Sequence, residues 1–162
     1  MDESQGESET PYYQDEWVTI YRGDCREVIP QISNVGLVIT SPPYNLGLKV
    51  VGPSRKWGSH RRHGISVKYN TSRDDLLPHE YKKMCLEVLD KCLLISPAVA
   101  CNVQWATGNK LALCEMLGER GSLLKDVAIW DKGHGQPAVN KGTMNPSFEM
   151  IFVFGGVPRN FV

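Results

Sequence analysis

The chain has 162 residues, of which 41% are apolar and 22% charged, as expected for one globular domain with its own core. No apolar run approaches the roughly 20 residues that a membrane-spanning helix needs. The acidic N-terminus has neither the basic start nor the apolar segment of a secretory signal. The five cysteines include no C-x-x-C pair, which favours buried thiols in a reducing compartment over disulfides or a metal site. The composition therefore predicts an intracellular protein.

The formal net charge is zero, but the charges are unevenly distributed. Residues 1–16 carry six acids and no base, which predicts an acidic disordered tail ahead of a folded portion at 17–162. No acid occurs between Glu27 and Asp74. That interval is either a solvated loop or a surface that faces phosphates. Its basic side chains include Lys49, Arg55, Lys56, Arg61, Arg62 and Lys68.

The first half of the chain predicts two strands, one short helix and one long loop. WVTIY at 17–21 and GLVIT at 36–40 are β-branched, apolar runs typical of strands, and GLVIT has the character of a strand buried on both faces. CREVIPQI at 25–32 fits a brief helix that Pro30 limits. Residues 45–73 lack periodicity and are rich in glycine, lysine and arginine, which predicts a basic loop.

The second half continues the alternation of helices and strands. Apolar residues three and four apart predict a helix over 77–94, with Asp75 near its start as a cap. Strands are predicted at 98–105, 126–130 and 150–154, and a further helix near 110–117. This order predicts an α/β fold, with a parallel sheet of about five strands covered on both faces by three helices. In such sheets ligands bind beyond the carboxyl ends of the strands.

The segment VITSPPYNLG, residues 38–47, ends the second predicted strand on a stiff, polar tip. Its two prolines fix φ and donate no backbone hydrogen bond, and Pro42 keeps Ser41 out of a helical conformation. The Ser41 oxygen and the Pro42 carbonyl are then two acceptors beside the ring of Tyr44. This combination suits a planar group that bears an NH₂, held close to an electrophile.

Ser41-Pro42-Pro43-Tyr44, between an apolar strand and Asn45, resembles the catalytic motif of amino-methyltransferases that act on DNA. YRGDCREVIPQI upstream, with AIWDK and PSFEMIFVF downstream, resembles other segments of that family, and the resemblance covers about 17–156. It implies a Rossmann-like fold that uses S-adenosyl-L-methionine, partial in this chain. The Ser form is typical of cytosine-N4 enzymes, whereas adenine-N6 enzymes more often carry Asp in the place of the serine.

The resemblance also implies roles for the residues of the tip. Ser41 and Pro42 would hold the target amine, Pro43 completes the catalytic motif, and Tyr44 would stack on a base swung out of the duplex. Asn45 is placed at the cofactor.

Outside the tip, the resemblance places Asp24 at the cofactor adenosine, although the same residue also fits an N-cap of the following helix. Trp130 and Lys132 would line the base pocket, and core packing is an equal interpretation for the tryptophan. The basic loop would contact the DNA backbone. Glu149 receives no catalytic role, because Phe148 stands where a histidine often precedes the acid.

Two parts of the family's pattern are missing: a glycine-rich turn of the type Phe-x-Gly-x-Gly, and an acid for the cofactor ribose. FVFGGVPRNFV has no third glycine. A permuted order with the catalytic half first explains this, and a C-terminal half or a second polypeptide would then complete the cofactor pocket. The alternatives are a DNA-binding or regulatory remnant without activity, and a methyltransferase of RNA or protein. DNA as partner implies the cytoplasm or nucleoid of a bacterium or virus, or a eukaryotic nucleus.

Overall fold

The computed structural model describes residues 10–45, 76–106, 108–133 and 147–155. The six strands in these ranges are β1 (Tyr13–Gln14), β2 (Thr19–Ile20), β3 (Val38–Thr40), β4 (Ala98–Val103), β5 (Leu124–Asp131) and β6 (Phe148–Gly155). The three α-helices are α1 (Cys25–Val28), α2 (Pro78–Ile95) and α3 (Lys110–Arg120). Short 3₁₀ turns, Ile29–Gln31 and Gly121–Leu123, follow α1 and α3. The predicted basic loop beyond residue 45 and the cap at Asp75 lie outside the described residues.

Four of these strands form one mixed sheet in the order β3-β4-β6-β5. β3 and β4 are parallel, whereas β6 runs antiparallel to both β4 and β5. The amino end of β6 therefore lies at the same edge as the carboxyl ends of the other three strands. The predicted α/β class and the three helices are confirmed. The prediction of an all-parallel sheet was wrong, because β6 pairs antiparallel with both of its neighbours, β4 and β5.

The N-terminal strands lie outside this sheet. β1 and β2 pair with each other, with Tyr13 opposite Ile20 and Gln14 opposite Thr19. Asp15 stabilises the turn between them, since its Oδ1 accepts hydrogen bonds from the backbone N–H groups of Trp17 and Val18. The strand predicted at 17–21 is thus shorter and belongs to a hairpin. The predicted disordered tail at 1–16 also needs correction, because its last residues supply the other half of that hairpin.

The core lies between one face of the sheet and the helices α2 and α3. Its buried members follow the helical and strand periodicities, and they are Tyr81, Cys85, Leu89, Cys92, Val99, Cys101, Val103, Ala112, Leu113, Met116, Phe152 and Phe154. Of the five free cysteines, Cys25 and Cys114 are exposed, so burial of the thiols holds for the other three. None of the described helices is both long enough and apolar enough to cross a membrane.

The opposite face of the sheet is less covered than the sequence suggested. Ile39 of β3 is 74% exposed and Trp130 of β5 is 51% exposed, and the strand registers place both on the face away from the core cluster. Core packing of Trp130, one of its two interpretations, was therefore wrong. Among the described residues, the three helices do not enclose the sheet from both sides.

The end of β6 requires a glycine, and this gives a test of the packing. Gly155 has φ +82°, and an added Cβ would collide with the carbonyl oxygen of Pro97. We expect Gly155→Ala to lower the free energy of unfolding by about 2 kcal/mol or more, from the left-handed backbone and the clash together. Urea denaturation measures the change. Gly118→Ala is the matched control, because Gly118 lies within α3 with open space around it.

The control substitution should stabilise the protein by up to about 1 kcal/mol, since alanine is the better helix former. Equal changes of stability in the two variants would contradict this packing of β6 against the start of β4.

Candidate active site

The Ser-Pro-Pro-Tyr tip, residues 41–44, leaves β3 at the edge where the parallel strands end. Side chains from other elements bind two of its carbonyl oxygens. The Tyr81 hydroxyl of α2 donates to the Pro43 carbonyl at 2.7 Å, and Asn109 Nδ2, just before α3, donates to the Tyr44 carbonyl at 2.7 Å. No donor from the described residues bonds to the Pro42 carbonyl. The bonds from Tyr81 and Asn109 thus do not involve the two predicted amine acceptors, the Ser41 oxygen and the Pro42 carbonyl.

Two buried asparagines hold the tip against its surroundings. Asn45 has φ +53° and is 4% exposed, and its amide joins Leu76 and Gly108. Its Nδ2 donates to both of those carbonyls at 2.9 and 3.2 Å, and its Oδ1 accepts from the Leu76 N–H at 2.7 Å. Asn109, 1% exposed, joins the tip to the segment after β4. Its Nδ2 donates to the carbonyls of Tyr44 and Gln104, and its Oδ1 accepts from the Ala106 N–H. Asn45 was predicted to contact the cofactor, and the structure places its amide in contacts within the chain.

The hydroxyl of Tyr44 connects the tip to the strands β4 and β6. It lies 3.0 Å from Ser41 Oγ, donates to Glu149 Oε2 at 3.2 Å, and accepts from Asn102 Nδ2 at 3.3 Å. Burial raises the pKa of Tyr44 and the charge of Glu149 adds to this, while the hydrogen bond with Ser41 acts in the opposite direction. The ring is thus fixed through its hydroxyl, and the phenol stays protonated at neutral pH.

Glu149 is the centre of this network, although the sequence predicted no role for it. Its side chain is buried, and it also accepts from Asn102 Nδ2 at 2.8 Å and from Lys132 Nζ at 2.8 Å. Burial by itself would raise the pKa of Glu149, but the lysine, the amide and the Tyr44 hydroxyl outweigh it and hold the pKa below its ordinary value. Glu149 is therefore a carboxylate at neutral pH.

Lys132 and Trp130 were predicted to line the site from the end of β5. Lys132 lies at this edge, since its N–H donates to the Ser147 carbonyl and its ammonium pairs with Glu149. Trp130 lies opposite Glu149 in the β5–β6 register and is half exposed. Both residues are thus next to the tip network. Contact with a base stays a prediction.

Asp24 lies elsewhere. Its Oδ1 accepts from the Arg26 N–H at 2.9 Å and caps α1, and both oxygens pair with the Arg26 side chain. These bonds from Arg26, the side chain first, lower the pKa of Asp24 to about 2. Arg26 in turn contacts Glu87 and Lys91 in the second half of α2. Six residues of helix, about 9 Å, separate Glu87 from the Tyr81 that meets the tip.

The N-cap interpretation of Asp24 is therefore confirmed. Its cofactor contact stays a prediction, and no described hydrogen bond joins it to the tip. The strand that precedes Asp24 was predicted to be part of the main sheet, but β2 belongs to the hairpin. The predicted DNA contacts, Lys49, Arg55, Lys56, Arg61, Arg62 and Lys68, lie outside the described residues.

Sequence reasoning missed three residues of the network: Glu149, Asn102 and Asn109. A polar residue within an otherwise apolar strand was the available signal for the first two, in PSFEMIFVF and AVACNVQW. Asn109 offered no such signal, because its partners Gln104 and Tyr44 are brought to it by the fold.

One edge of the sheet thus brings together the proline-stiffened tip, a tyrosine fixed through its hydroxyl and a buried carboxylate. Comparison with known families shows to which class the protein belongs. Residues 35–160 match the family model described as DNA methylase, for the N6 and N4 methyltransferases. The match covers most of the chain, and the protein belongs to this family of DNA methyltransferases. A search of curated proteins gave no match.

Asn109 provides a test of the clamp on the tip. Asn109→Ala leaves the part-buried carbonyls of Tyr44 and Gln104 and the N–H of Ala106 without their partner. We expect a loss of about 1–3 kcal/mol in the free energy of unfolding, measured by urea denaturation. The control is Asn34→Ala, at an exposed position before β3. Similar stability of the two variants would argue against the clamp.

Proposed function

We propose that this protein transfers a methyl group from S-adenosyl-L-methionine to the N4 amine of a cytosine swung out of DNA. The observation that carries the proposal is that the chain's own side chains bind some acceptors of the tip and leave others for a ligand. The carbonyls of Pro43 and Tyr44 are bound by side chains of the chain itself. Ser41 is exposed, and within the described residues its oxygen and the Pro42 carbonyl remain for an external amine. The serine in the motif favours cytosine over adenine.

The tip acts mainly by positioning. Two acceptors on the amino hydrogens orient the nitrogen and make its lone pair available for attack, with a rate gain that comes from fixed geometry. Flipping the base costs a few kcal/mol, and stacking on the Tyr44 ring returns roughly 1–3 kcal/mol. The hydrogen bonds of the Tyr44 hydroxyl hold the ring in one orientation for this contact.

When bound, S-adenosyl-L-methionine supplies the electrophilic methyl group. Of the two residues predicted to hold it, Asn45 has its amide bound to Leu76 and Gly108, and Asp24 has both oxygens on Arg26. The described residues therefore fit the base better than the cofactor. We infer that the cofactor pocket is completed by further sequence of the same protein or by a second polypeptide.

Two other functions are separated from this one by experiment. An adenine-N6 enzyme would use the same acceptors on the amine of adenine, since both bases offer an NH₂. A DNA-binding or regulatory remnant would keep the fold and bind DNA without the methyl donor. The buried, charge-paired network behind the tip favours a working site over a remnant.

Methyl transfer is the direct test. The chain, together with the further sequence or second polypeptide that completes its cofactor pocket, is incubated with DNA and labelled S-adenosyl-L-methionine, and the nucleosides are identified by mass spectrometry. We expect N4-methyl-deoxycytidine, and a rate roughly 10–100-fold lower for Ser41→Ala because one hydrogen bond to the reacting amine is removed. Ser33→Ala, at an exposed position before β3, is the control.

The nature of the product decides between the functions. N6-methyl-deoxyadenosine would replace the cytosine assignment by the adenine one. Calorimetric titration of the same chain with S-adenosyl-L-methionine, alone and with DNA, tests autonomous catalysis, which the absence of any heat of binding would overturn.

We further propose that the basic segment, the loop predicted at 45–73, contacts the DNA backbone, with Arg61 and Arg62 as its main phosphate-binding residues. Reversing both charges to glutamate should weaken DNA binding and flatten its salt dependence, by about one unit of slope for each phosphate that is no longer neutralised. Fluorescence anisotropy over a salt series measures both effects. Reversal of Lys110 and Lys125, exposed on α3 and β5, changes the net charge equally and is the control. An unchanged slope in the Arg61 and Arg62 variant would exclude this role for the two arginines.

A further inference from the structure

The hydrogen bonds behind the tip have a fixed direction, and Glu149 sets it. A carboxylate can only accept, so the single hydrogen of the Tyr44 hydroxyl is given to Glu149 Oε2. Asn102 Nδ2 must likewise face Glu149, because the amide oxygen would meet a negative charge there. With its own hydrogen used, the Tyr44 oxygen only accepts from its other neighbours, one of which is Ser41.

The consequence falls on Ser41. The Ser41 and Tyr44 oxygens are 3.0 Å apart and either could donate in isolation. Since Tyr44 donates to Glu149, the hydrogen of Ser41 is directed inward to Tyr44. A serine hydroxyl has one hydrogen and two lone pairs, so its outer side then presents lone pairs alone.

We propose that Glu149 determines the specificity of the tip, by making Ser41 an obligate acceptor that takes an amino group and rejects a carbonyl at the same position of a base. Cytosine and uracil differ at that position, as NH₂ against C=O. A carbonyl would face the Ser41 lone pairs without a hydrogen between them, which leaves both groups unpaired and is costly once the bound base has displaced water from the serine. Glu149 acts through Tyr44 and Ser41, as a positioning residue.

Lys132 keeps this arrangement in one state. Its ammonium is 2.8 Å from Glu149 Oε1 and can only donate, so it stabilises the charged carboxylate in a buried position. The lowered pKa of Glu149 agrees with this. Asn102 Oδ1 is buried and has no partner among the described residues. The network therefore has an unused acceptor, which matters when Glu149 is changed to an amide.

The substitution Glu149→Gln should reverse the direction of the hydrogen bond between Tyr44 and Ser41. The amide oxygen is expected to face the Lys132 ammonium, which turns the NH₂ group toward Tyr44 and Asn102. Asn102 can accept from it by presenting its unpaired Oδ1. Tyr44 would then accept from the new amide and donate to Ser41, whose hydrogen is released outward and can meet a carbonyl.

The test compares two single-stranded oligonucleotides of about twelve residues, one all deoxycytidine and one all deoxyuridine, by fluorescence anisotropy at neutral pH. Their phosphates are the same, so the ratio of the two affinities reports on the base edge and not on the basic segment. The inference rests on the proposed function. We expect the unsubstituted chain to bind the cytosine strand roughly tenfold more tightly, and Glu149→Gln to bring the ratio to about one or below.

Two further variants separate specificity from folding. Tyr44→Phe removes the acceptor for the Ser41 hydrogen by another route and should lower the same ratio. Glu115→Gln makes the same change of charge at an exposed position of α3 and should leave the ratio as it was. Circular dichroism confirms that each variant is folded.

The outcomes distinguish the inference from the proposed function. A ratio that stays at the unsubstituted value in Glu149→Gln and Tyr44→Phe, while both affinities fall together, would show a purely structural role and overturn the inference alone. Equal binding of the two strands by the unsubstituted chain would overturn the tip as a site for base amines, and the inference with it.

Discussion

A backbone segment with two prolines cannot hold itself in place by donating hydrogen bonds, and the site of this protein depends on that constraint. Pro42 and Pro43 lack the N–H groups that a continued strand would use. Donors from other elements therefore bind the tip, the Tyr81 hydroxyl from α2 and the Asn109 amide from the start of α3. The helices do more than cover the core, because they set the position of the acceptors that would meet the substrate.

Glu149 shows how the fold supplies what local sequence does not. The residue is about a hundred positions from the tip, and it reaches Tyr44 only because β6 runs against its neighbours and starts at the edge where they end. Strand alternation alone favours parallel order with crossover helices, and on that order Glu149 would lie at the opposite edge. The antiparallel direction of β6 thus places Glu149, for which the sequence predicted no role, at the centre of the site.

The features that the sequence predicted well are those with local causes. α2 was placed within a residue at each end, because its apolar side chains repeat every three to four positions over several turns. The absence of backbone donors at Pro42 and Pro43 likewise follows from proline stereochemistry alone. Other features depend on pairings between segments, about which a short apolar run carries no information. These are the hairpin that contains β2, the antiparallel direction of β6 and the hydrogen bonds of Asn109 to the tip. Asp24 illustrates both cases, since its cap was predicted correctly and its place relative to the sheet was not.

The backbone hydrogen bond from Lys132 to Ser147 has a consequence for how such a site can diversify. It joins the end of β5 to the residue before β6 at 2.7 Å, so the chain that leaves the sheet at one point returns directly beside it. The spacing of the Lys132 and Glu149 side chains is then set by the sheet and not by the residues between them. Changes of sequence between Lys132 and Ser147 can therefore accumulate while the paired strands keep the lysine and the carboxylate at the same distance.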